Sequence, residues 1–144
     1  MKRIAGWMAV VLMVCVLGVM AADELSISMG WTYSKNGRAR TLAATTVKYD
    51  IAGAAVIENV QSVSTNAAGD ALVLGGVTDP GFGYFKNLDA TNYIEIGSYD
   101  VNTNFLAFAK LKALEKAIVF LGVTAPRARS HTAAVKLDYV ISDR

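Results

Sequence analysis

The fold of this chain is decided by the stretch Gly83-Tyr84-Phe85-Lys86-Asn87-Leu88-Asp89-Ala90-Thr91-Asn92-Tyr93-Ile94-Glu95-Ile96-Gly97. Its two ends alternate apolar and polar residues with a period of two, which is typical of strands that have one buried face. The segment between them, residues 87–92, is rich in Asn, Asp and Thr, whose side chains hydrogen-bond nearby backbone and favour tight turns. The stretch therefore predicts a β-hairpin at the centre of an all-β domain.

The same alternation continues on both sides of this stretch. Apolar residues occupy every second position from Leu25 to Tyr33, and Asn36-Gly37 follows, which is the strongest short hairpin signal. We predict further strands at residues 40–50, 60–64, 71–74, 104–112, 116–123 and 133–142, and a basic loop at 126–130. The 104–112 strand is apolar on both faces at one end, so we expect it inside a sheet. Eight or nine short strands without a convincing helix predict an antiparallel β-sandwich, jelly-roll-like in its organisation.

An apolar leader precedes this body. Lys2 and Arg3 are followed by an apolar run to Met20 and by small residues, which is the pattern of a secretory signal peptide or an anchor. The alternative is that Met20 is the true start. We place the leader at residues 1–22 and a single β-sandwich domain at residues 23–144, a size that suits one core.

The composition of the body argues against some classes of function. The chain has 14 Lys and Arg residues against 12 Asp and Glu. Without Lys2 and Arg3 the numbers of basic and acidic residues are equal. The composition therefore gives no reason to expect a basic surface that binds nucleic acid. The single cysteine, Cys15, lies in the leader, so the body has no disulfide and no thiolate metal site.

The residues with possible catalytic chemistry are few. His131 is the single histidine, and no Asp or Glu is near it in sequence, so we expect an exposed loop residue and not a general base. Gly81-Phe82-Gly83 precedes a predicted strand, whereas a phosphate loop requires a helix there. We therefore assign no catalytic, cofactor-binding or metal-binding residue and no cofactor.

Three further groups have a functional interpretation and a plainer one, and the plainer one is favoured for each. The functional interpretation of Asp89, Asp100 and Asp138 is a shared cation site, and the plainer one is that they are separate carboxylates in turns and on the surface. The functional interpretation of Lys110, Lys112, Arg127 and Arg129 is a basic patch that binds an acidic partner. The plainer one is that they are solvated charges that discourage aggregation through strand edges. The functional interpretation of the five aromatic residues is a platform on which a sugar stacks, and the plainer one is that they pack in the core: Trp31, Tyr33, Phe82, Tyr84 and Tyr93.

Four segments of the body carry a resemblance. They are Gly83–Gly97, the sequence Phe108-Ala109-Lys110-Leu111-Lys112-Ala113-Leu114-Glu115, the ending Thr132–Ile141, and the beginning Ala22-Asp23-Glu24-Leu25. Together they resemble a family of small structural proteins of tailed bacteriophages and prophages. The chain departs from that family in its leader and at Ala113-Leu114-Glu115, where the family often has Pro-Gly-Glu. The resemblance implies a virion-associated β-sandwich and no known activity.

The functional expectation is therefore a non-enzymatic virion component, tail-associated or a capsid decoration, that acts through contacts with other virion proteins. It would be assembled in the host cytoplasm. We also expect a homo-oligomer formed partly by Leu106 and Phe108, which share one face of the 104–112 strand. The alternative is a secreted or envelope-tethered β-sandwich that binds a ligand such as carbohydrate, with a membrane role only if the leader is retained. An enzyme such as a depolymerase would need paired carboxylates, and the sequence does not propose such a pair.

Overall fold

The computed structural model describes residues 25–51, 53 and 55–144, so the predicted leader lies outside the described residues. Within these residues, ten antiparallel strands form three sheets. The strands are β1 Leu25–Lys35, β2 Arg38–Tyr49, β3 Val56–Val63, β4 Asp70–Ala71, β5 Pro80–Asn87, β6 Ile94–Tyr99, β7 Phe105–Leu111, β8 Lys116–Phe120, β9 Arg127–Ser130 and β10 Val135–Asp143. The chain divides between Asp50 and Ile51 into two compact units, and each is described by itself.

The first unit contains the β1–β2 hairpin, which we call the arm (residues 25–49). The predicted turn is confirmed, because Asn36 and Gly37 have φ angles of 52° and 74°, the left-handed conformation that a two-residue hairpin turn requires. Residues paired across the hairpin share a face. One side therefore carries Leu25, Ile27, Met29, Trp31 and Tyr33 with Leu42, Val47 and Tyr49, and also Thr45 and Arg40. The other side carries mainly small residues such as Ser28 and Thr32, together with Lys48.

The second unit is a β-sandwich of two four-stranded sheets. The first sheet has the order β3-β10-β5-β8 and the second has the order β4-β9-β6-β7. Strands that follow one another in the chain mostly belong to opposite sheets, and this order is that of a jelly roll. The predicted all-β, jelly-roll-like sandwich is therefore confirmed.

The core lies between the inner faces of these sheets. Phe85, Tyr139, Ile94 and Ile96 are fully buried and belong to one continuous apolar cluster. In β10 the alternation seen in the sequence matches the structure, since Val135, Leu137, Tyr139 and Ile141 are all buried. Complete burial of one such aliphatic side chain stabilises the fold by about 1.5–3 kcal/mol.

The predicted central hairpin is wrong. β5 and β6 do not pair: β5 lies between β10 and β8 in the first sheet, and β6 lies between β9 and β7 in the second. Asn87, at the end of β5, explains this change of sheet. Its side-chain amide donates hydrogen bonds to the carbonyl oxygens of Leu111 and Lys112, 3.3 and 3.0 Å away, where β7 ends in the second sheet. The polar segment therefore joins the sheets and does not reverse the chain within one of them.

Two predictions about the second sheet are also wrong. Residues 127–130 form strand β9, between β4 and β6, and not a basic loop. Strand β7 lies at the edge of its sheet and not inside it. A register shift between Ile96 and Gly97 leaves Phe108 as an extra residue in β7, because Ile96 pairs with Ala109 and Gly97 with Ala107. This bulge ends the strict alternation of faces that the sequence implies for residues 105–111.

Candidate functional site

His131 lies in a cleft at one end of the second sheet. It follows β9, is exposed as predicted, and stacks on Tyr93 with ring centroids 4.7 Å apart. The cleft has a volume of about 310 Å³ and is lined by Thr65, Ala67, Tyr93, Glu95, Arg129, Ser130 and His131. Glu95 comes close to His131 only through folding, which is why sequence distance hid it. Its carboxylate accepts a hydrogen bond of 2.8 Å from Arg129 and is therefore already paired.

The predicted basic residues contact aromatic rings on the outer face of the second sheet. The guanidinium of Arg127 lies 4.1 Å from the ring centroid of Tyr99, and that of Arg129 lies 4.6 Å from the ring centroid of Phe105. The ammonium of Lys110 lies 3.4 Å from the ring centroid of Tyr93. These three cations are held by aromatic faces and are more than solvated surface charges, while Lys112 is exposed after the end of β7.

Arg127 and Arg129 also hold the loop before β4 against this face. Arg127 donates to the carbonyl oxygen of Gly69 at 2.6 Å, and Arg129 donates to that of Ala67 at 3.2 Å. Because these donors are occupied within the fold, the two arginines have a structural role that the sequence did not indicate. This face therefore does not present a patch of mobile cations.

The predicted carboxylates do not come together. Asp89 accepts hydrogen bonds from the backbone N–H groups of Asn92 and Thr91, at 2.6 and 2.7 Å, and these bonds lower the pKa of its carboxyl group. Asp100 accepts from the side chain and the backbone of Asn104, which lowers its pKa too. Both carboxylates stabilise turns. Asp138 lies on β10, opposite Lys86 of β5. Within the described residues, no group of three or more His, Cys, Asp or Glu side chains is placed to hold a metal ion.

Asp143 is a buried carboxylate that sequence reasoning missed. It accepts hydrogen bonds from the backbone N–H groups of Asp79, Thr78 and Ala55, at 3.1, 2.9 and 3.2 Å. These bonds hold its pKa below the ordinary value although burial opposes them, with the bond from Asp79 the largest cause. The carboxylate therefore connects the end of β10 to two loops. Gly81-Phe82-Gly83, expected to precede a strand, lies within β5 itself.

The five predicted aromatic residues form neither one platform nor one core. Trp31 and Tyr33 stack on the arm with ring centroids 5.7 Å apart, yet they are 51% and 41% exposed. The expectation that they belong to the core is wrong. Phe82 and Tyr84 point away from the core in β5, and Tyr93 packs beside the cleft. The aromatic residues of the core are Phe85 and Tyr139, whose rings lie 6.4 Å apart.

Large apolar side chains are exposed at several places on the strands. Leu106 is 62% exposed and Phe108 is 45% exposed. The register pairs Leu106 with Ser98, on the side of Ile96, and Lys110 with Glu95, on the opposite side, so the bulge breaks up the single outward face expected of this strand. The sequence did not indicate a second group on the outer face of the first sheet, where Val56, Val60 and Ile118 are exposed by 63%, 54% and 46%. The arm adds Met29, Leu42 and Val47 to Trp31 and Tyr33. Single exposed apolar side chains are normal on a protein surface, whereas contiguous exposed apolar patches mark surfaces that bind another protein.

The arm is also strongly basic. Residues 25–49 contain Lys35, Arg38, Arg40 and Lys48 and no Asp or Glu, so the arm carries a formal charge of +4. Residues 51–144 contain eight Lys and Arg against nine Asp and Glu, which gives −1. The neutral balance of the body therefore conceals a separation of charge between the two units.

Comparison with known proteins finds no match for this chain among family models, curated proteins or solved structures. The resemblance to phage structural proteins therefore stays a prediction. In the part of the chain that the structure describes, no helical segment has the length and apolar character of a membrane span.

Proposed function

We propose that this protein is a non-enzymatic structural component of a tailed-phage particle, tail-associated or a capsid decoration, that works by binding other virion proteins. The observation that carries this proposal is the exposure of large apolar side chains on regular strands in both units, among them Trp31, Leu106 and Val56. Interface centres are enriched in aromatic residues, Met and Arg, and the arm presents all three. The phage setting rests on the sequence resemblance.

The test is co-purification with particles. A host strain that carries the gene is induced, particles are banded in a density gradient, and peptides of this protein are quantified against the major capsid protein. The proposal expects a fixed ratio that persists through a second gradient. A protein found in the envelope or culture fluid, with particles free of it, would instead favour the secreted or tethered alternative.

The exposed residues Leu106 and Phe108 of β7, which we call the β7 patch, supply a candidate contact between copies. They lie on an edge strand, one side of which is not paired within its sheet. We expect Phe108→Ser to weaken self-association or binding to particles without unfolding the sandwich, because Phe108 is outside the core cluster. A variant that keeps the wild-type oligomeric mass and particle ratio would remove this patch from the proposal.

The cleft at His131 favours a second candidate function, a module that binds a small polar ligand such as a glycan. It combines the stacked rings of His131 and Tyr93 with the polar groups of Thr65 and Arg129. Titration calorimetry with neutral and acidic oligosaccharides tests this candidate. Binding that His131→Ala abolishes would support it, and an absence of heat with every class would remove it.

A further inference from the structure

The outer face of the first sheet carries two neighbouring rows of side chains that cross all four strands. They point away from the core, because Tyr139 and Phe85, which alternate with them in β10 and β5, are fully buried. In the order β3, β10, β5 and β8, the register gives an upper row of Glu58, Val140, Tyr84 and Ile118. It gives a lower row of Val60, Asp138, Lys86 and Lys116. The lower row therefore has its carboxylate on β10 and its cations on β5 and β8.

The upper row is mainly apolar and is partly open to solvent. Ile118 is 46% exposed, and Val140 and Tyr84 are each half-buried. Val60, which adjoins this row on β3, is 54% exposed. Opposite residues of adjacent strands lie about 4.5–5.5 Å apart, so Val140, Tyr84 and Ile118 form one contiguous surface. A contiguous apolar surface of this kind is typical of a contact with another protein.

The two rows complement themselves under one particular symmetry. When two copies stack these faces, a two-fold axis parallel to the strands, between β10 and β5, exchanges the two central strands. It places Val140 of one copy on Tyr84 of the other and Asp138 on Lys86, and each contact occurs twice. Apolar groups therefore meet apolar groups, and each carboxylate meets a cation. Stacked sheets lie about 10 Å apart with their strands within about 30° of each other, so contacts between the central strands are kept.

Other partners fit this face less well. A two-fold axis perpendicular to the strands would place Val140 on Asp138 and Tyr84 on Lys86, so that apolar groups would cover charges without pairing them. The face as a whole carries both signs of charge, on the side chains of Glu58, Asp138, Lys86, Lys116 and Lys136. This mixture disfavours a partner of a single charge sign, such as nucleic acid.

We propose that two copies of this chain form a two-fold dimer by stacking the outer faces of their first sheets, with Val140 on Tyr84 and Asp138 on Lys86 across the axis. The inference rests on the proposed function, because it names one of the protein–protein contacts through which the chain would act. Two-fold dimers are the commonest symmetric assembly, and they require a surface that complements itself. The β7 patch belongs to the other sheet, so it is available for a different contact.

The experiment measures the mass of the full chain by sedimentation velocity over a concentration series. Two variants reverse one charge each, Asp138→Lys on β10 and Lys86→Glu on β5. In a dimer of either variant alone, both charge contacts join like charges. Lys112→Glu is the matched control, because it reverses an exposed charge outside the first sheet. Circular dichroism confirms that each variant is folded.

The expected result is a wild-type dimer whose dissociation constant rises at least tenfold in each charge reversal and stays within twofold in the control. An equimolar mixture of the two reversals is the decisive sample. In a mixed dimer the new lysine at position 138 faces the new glutamate at position 86, and the native Lys86 faces the native Asp138. Both contacts then join opposite charges, so mixing should restore the dimer. High salt should weaken the wild-type dimer and strengthen self-association of each reversal, since it screens attraction and repulsion alike.

Three results would overturn the proposal. The first is a wild-type chain that is monomeric at every concentration. The second is loss of the dimer in both reversals without recovery in the mixture, which would mean that positions 138 and 86 do not face each other. The third is a dimer that Phe108→Ser removes and both reversals leave intact, which would assign self-association to the β7 patch.

Milder substitutions keep the test valid if a charge reversal prevents folding. Asp138→Asn and Lys86→Gln then take its place, and each must still weaken the dimer while the control does not. The particle ratio that tests the proposed function is measured separately. A protein that bands with particles but never forms this dimer would overturn the inference alone, and a dimer absent from particles would overturn the proposed function alone.

Discussion

Replacing Asn87 by alanine should destabilise the sandwich more than any ordinary polar substitution. Asn87 is fully buried, and its side-chain amide donates to the carbonyl oxygens of Asn92, Lys112 and Leu111, at 2.8, 3.0 and 3.3 Å. Its side-chain oxygen accepts from the backbone N–H of Asp89 at 2.9 Å. Alanine removes all four contacts and leaves their backbone partners without replacements.

The size of the effect follows from those contacts. A hydrogen bond contributes about 0.5–1.5 kcal/mol net, and a buried group left without a partner costs about 1–3 kcal/mol. Since the two amide hydrogens are shared among three acceptors, we expect the free energy of unfolding to fall by about 2–4 kcal/mol. Asn87→Asp should cost more than Asn87→Ala, because an ionised carboxylate donates no hydrogen bond and faces three carbonyl oxygens. Asn102→Ala, at an exposed turn residue, is the matched control and should stay within about 0.5 kcal/mol.

The assay is urea unfolding followed by far-ultraviolet circular dichroism. Tryptophan fluorescence is unsuitable, because Trp7 and Trp31 are the two tryptophans and neither lies in residues 51–144. An unchanged slope of free energy against urea would confirm that the variants differ in stability and not in the surface exposed on unfolding. The reasoning is refuted if Asn87→Ala loses no more than Asn102→Ala, or if Asn87→Asp is the milder of the two Asn87 variants.

Three other outcomes are expected. Leu114 has a φ of 61° in the turn that joins β7 to β8 and is 62% exposed, so Leu114→Gly should raise the urea midpoint by an amount worth about 1 kcal/mol, whereas Ala113→Gly should not. The pKa values of Asp89, Asp100 and Asp143 are lower in the native state than in the unfolded state, so below about pH 4 the unfolded state binds more protons. The stability that these groups contribute is complete above that pH. It is lost as the pH falls through the native pKa values. Urea midpoints at about pH 6 and pH 3 should show this loss, and Asp143→Asn should show a smaller one; an equal loss in that variant would contradict the role given to Asp143. Deleting Met1 to Ala21 should leave the thermal midpoint of the sandwich unchanged by calorimetry, and a loss of cooperative unfolding would show that the leader contributes to the fold.

Alternation predicted the strands well where one face meets the core over a long run. β10 shows this, because its four inward residues are apolar and its neighbours on both sides are strands. Alternation does not encode which strands pair. The alternation in Gly83–Gly97 fits a hairpin and a connection between two sheets equally well. The structure has the connection, in which Asn87 hydrogen-bonds to backbone carbonyls more than twenty residues away in the sequence.

Local irregularities hid most of the candidate surfaces. The extra residue Phe108 in β7 shifts the faces of that strand by one position, and no residue type announces such a shift. The four residues Arg127–Ser130 are too short and too polar to indicate a strand from sequence alone. Trp31 and Tyr33 look like core residues, since apolar alternation indicates a face to be buried and does not say by what.

The position of β10 has a consequence for how the protein is made. Of the strands in the sandwich, it is synthesised after all the others, yet it lies between β3 and β5 and pairs with both. Until it arrives, those two strands have no shared partner, and each leaves an open edge of the kind that recruits other chains. The β6–β7 hairpin can form early, but the first sheet closes only after translation has passed Asp143. Substitutions in β10 should therefore reduce the yield of soluble protein during expression more than their effect on equilibrium stability suggests.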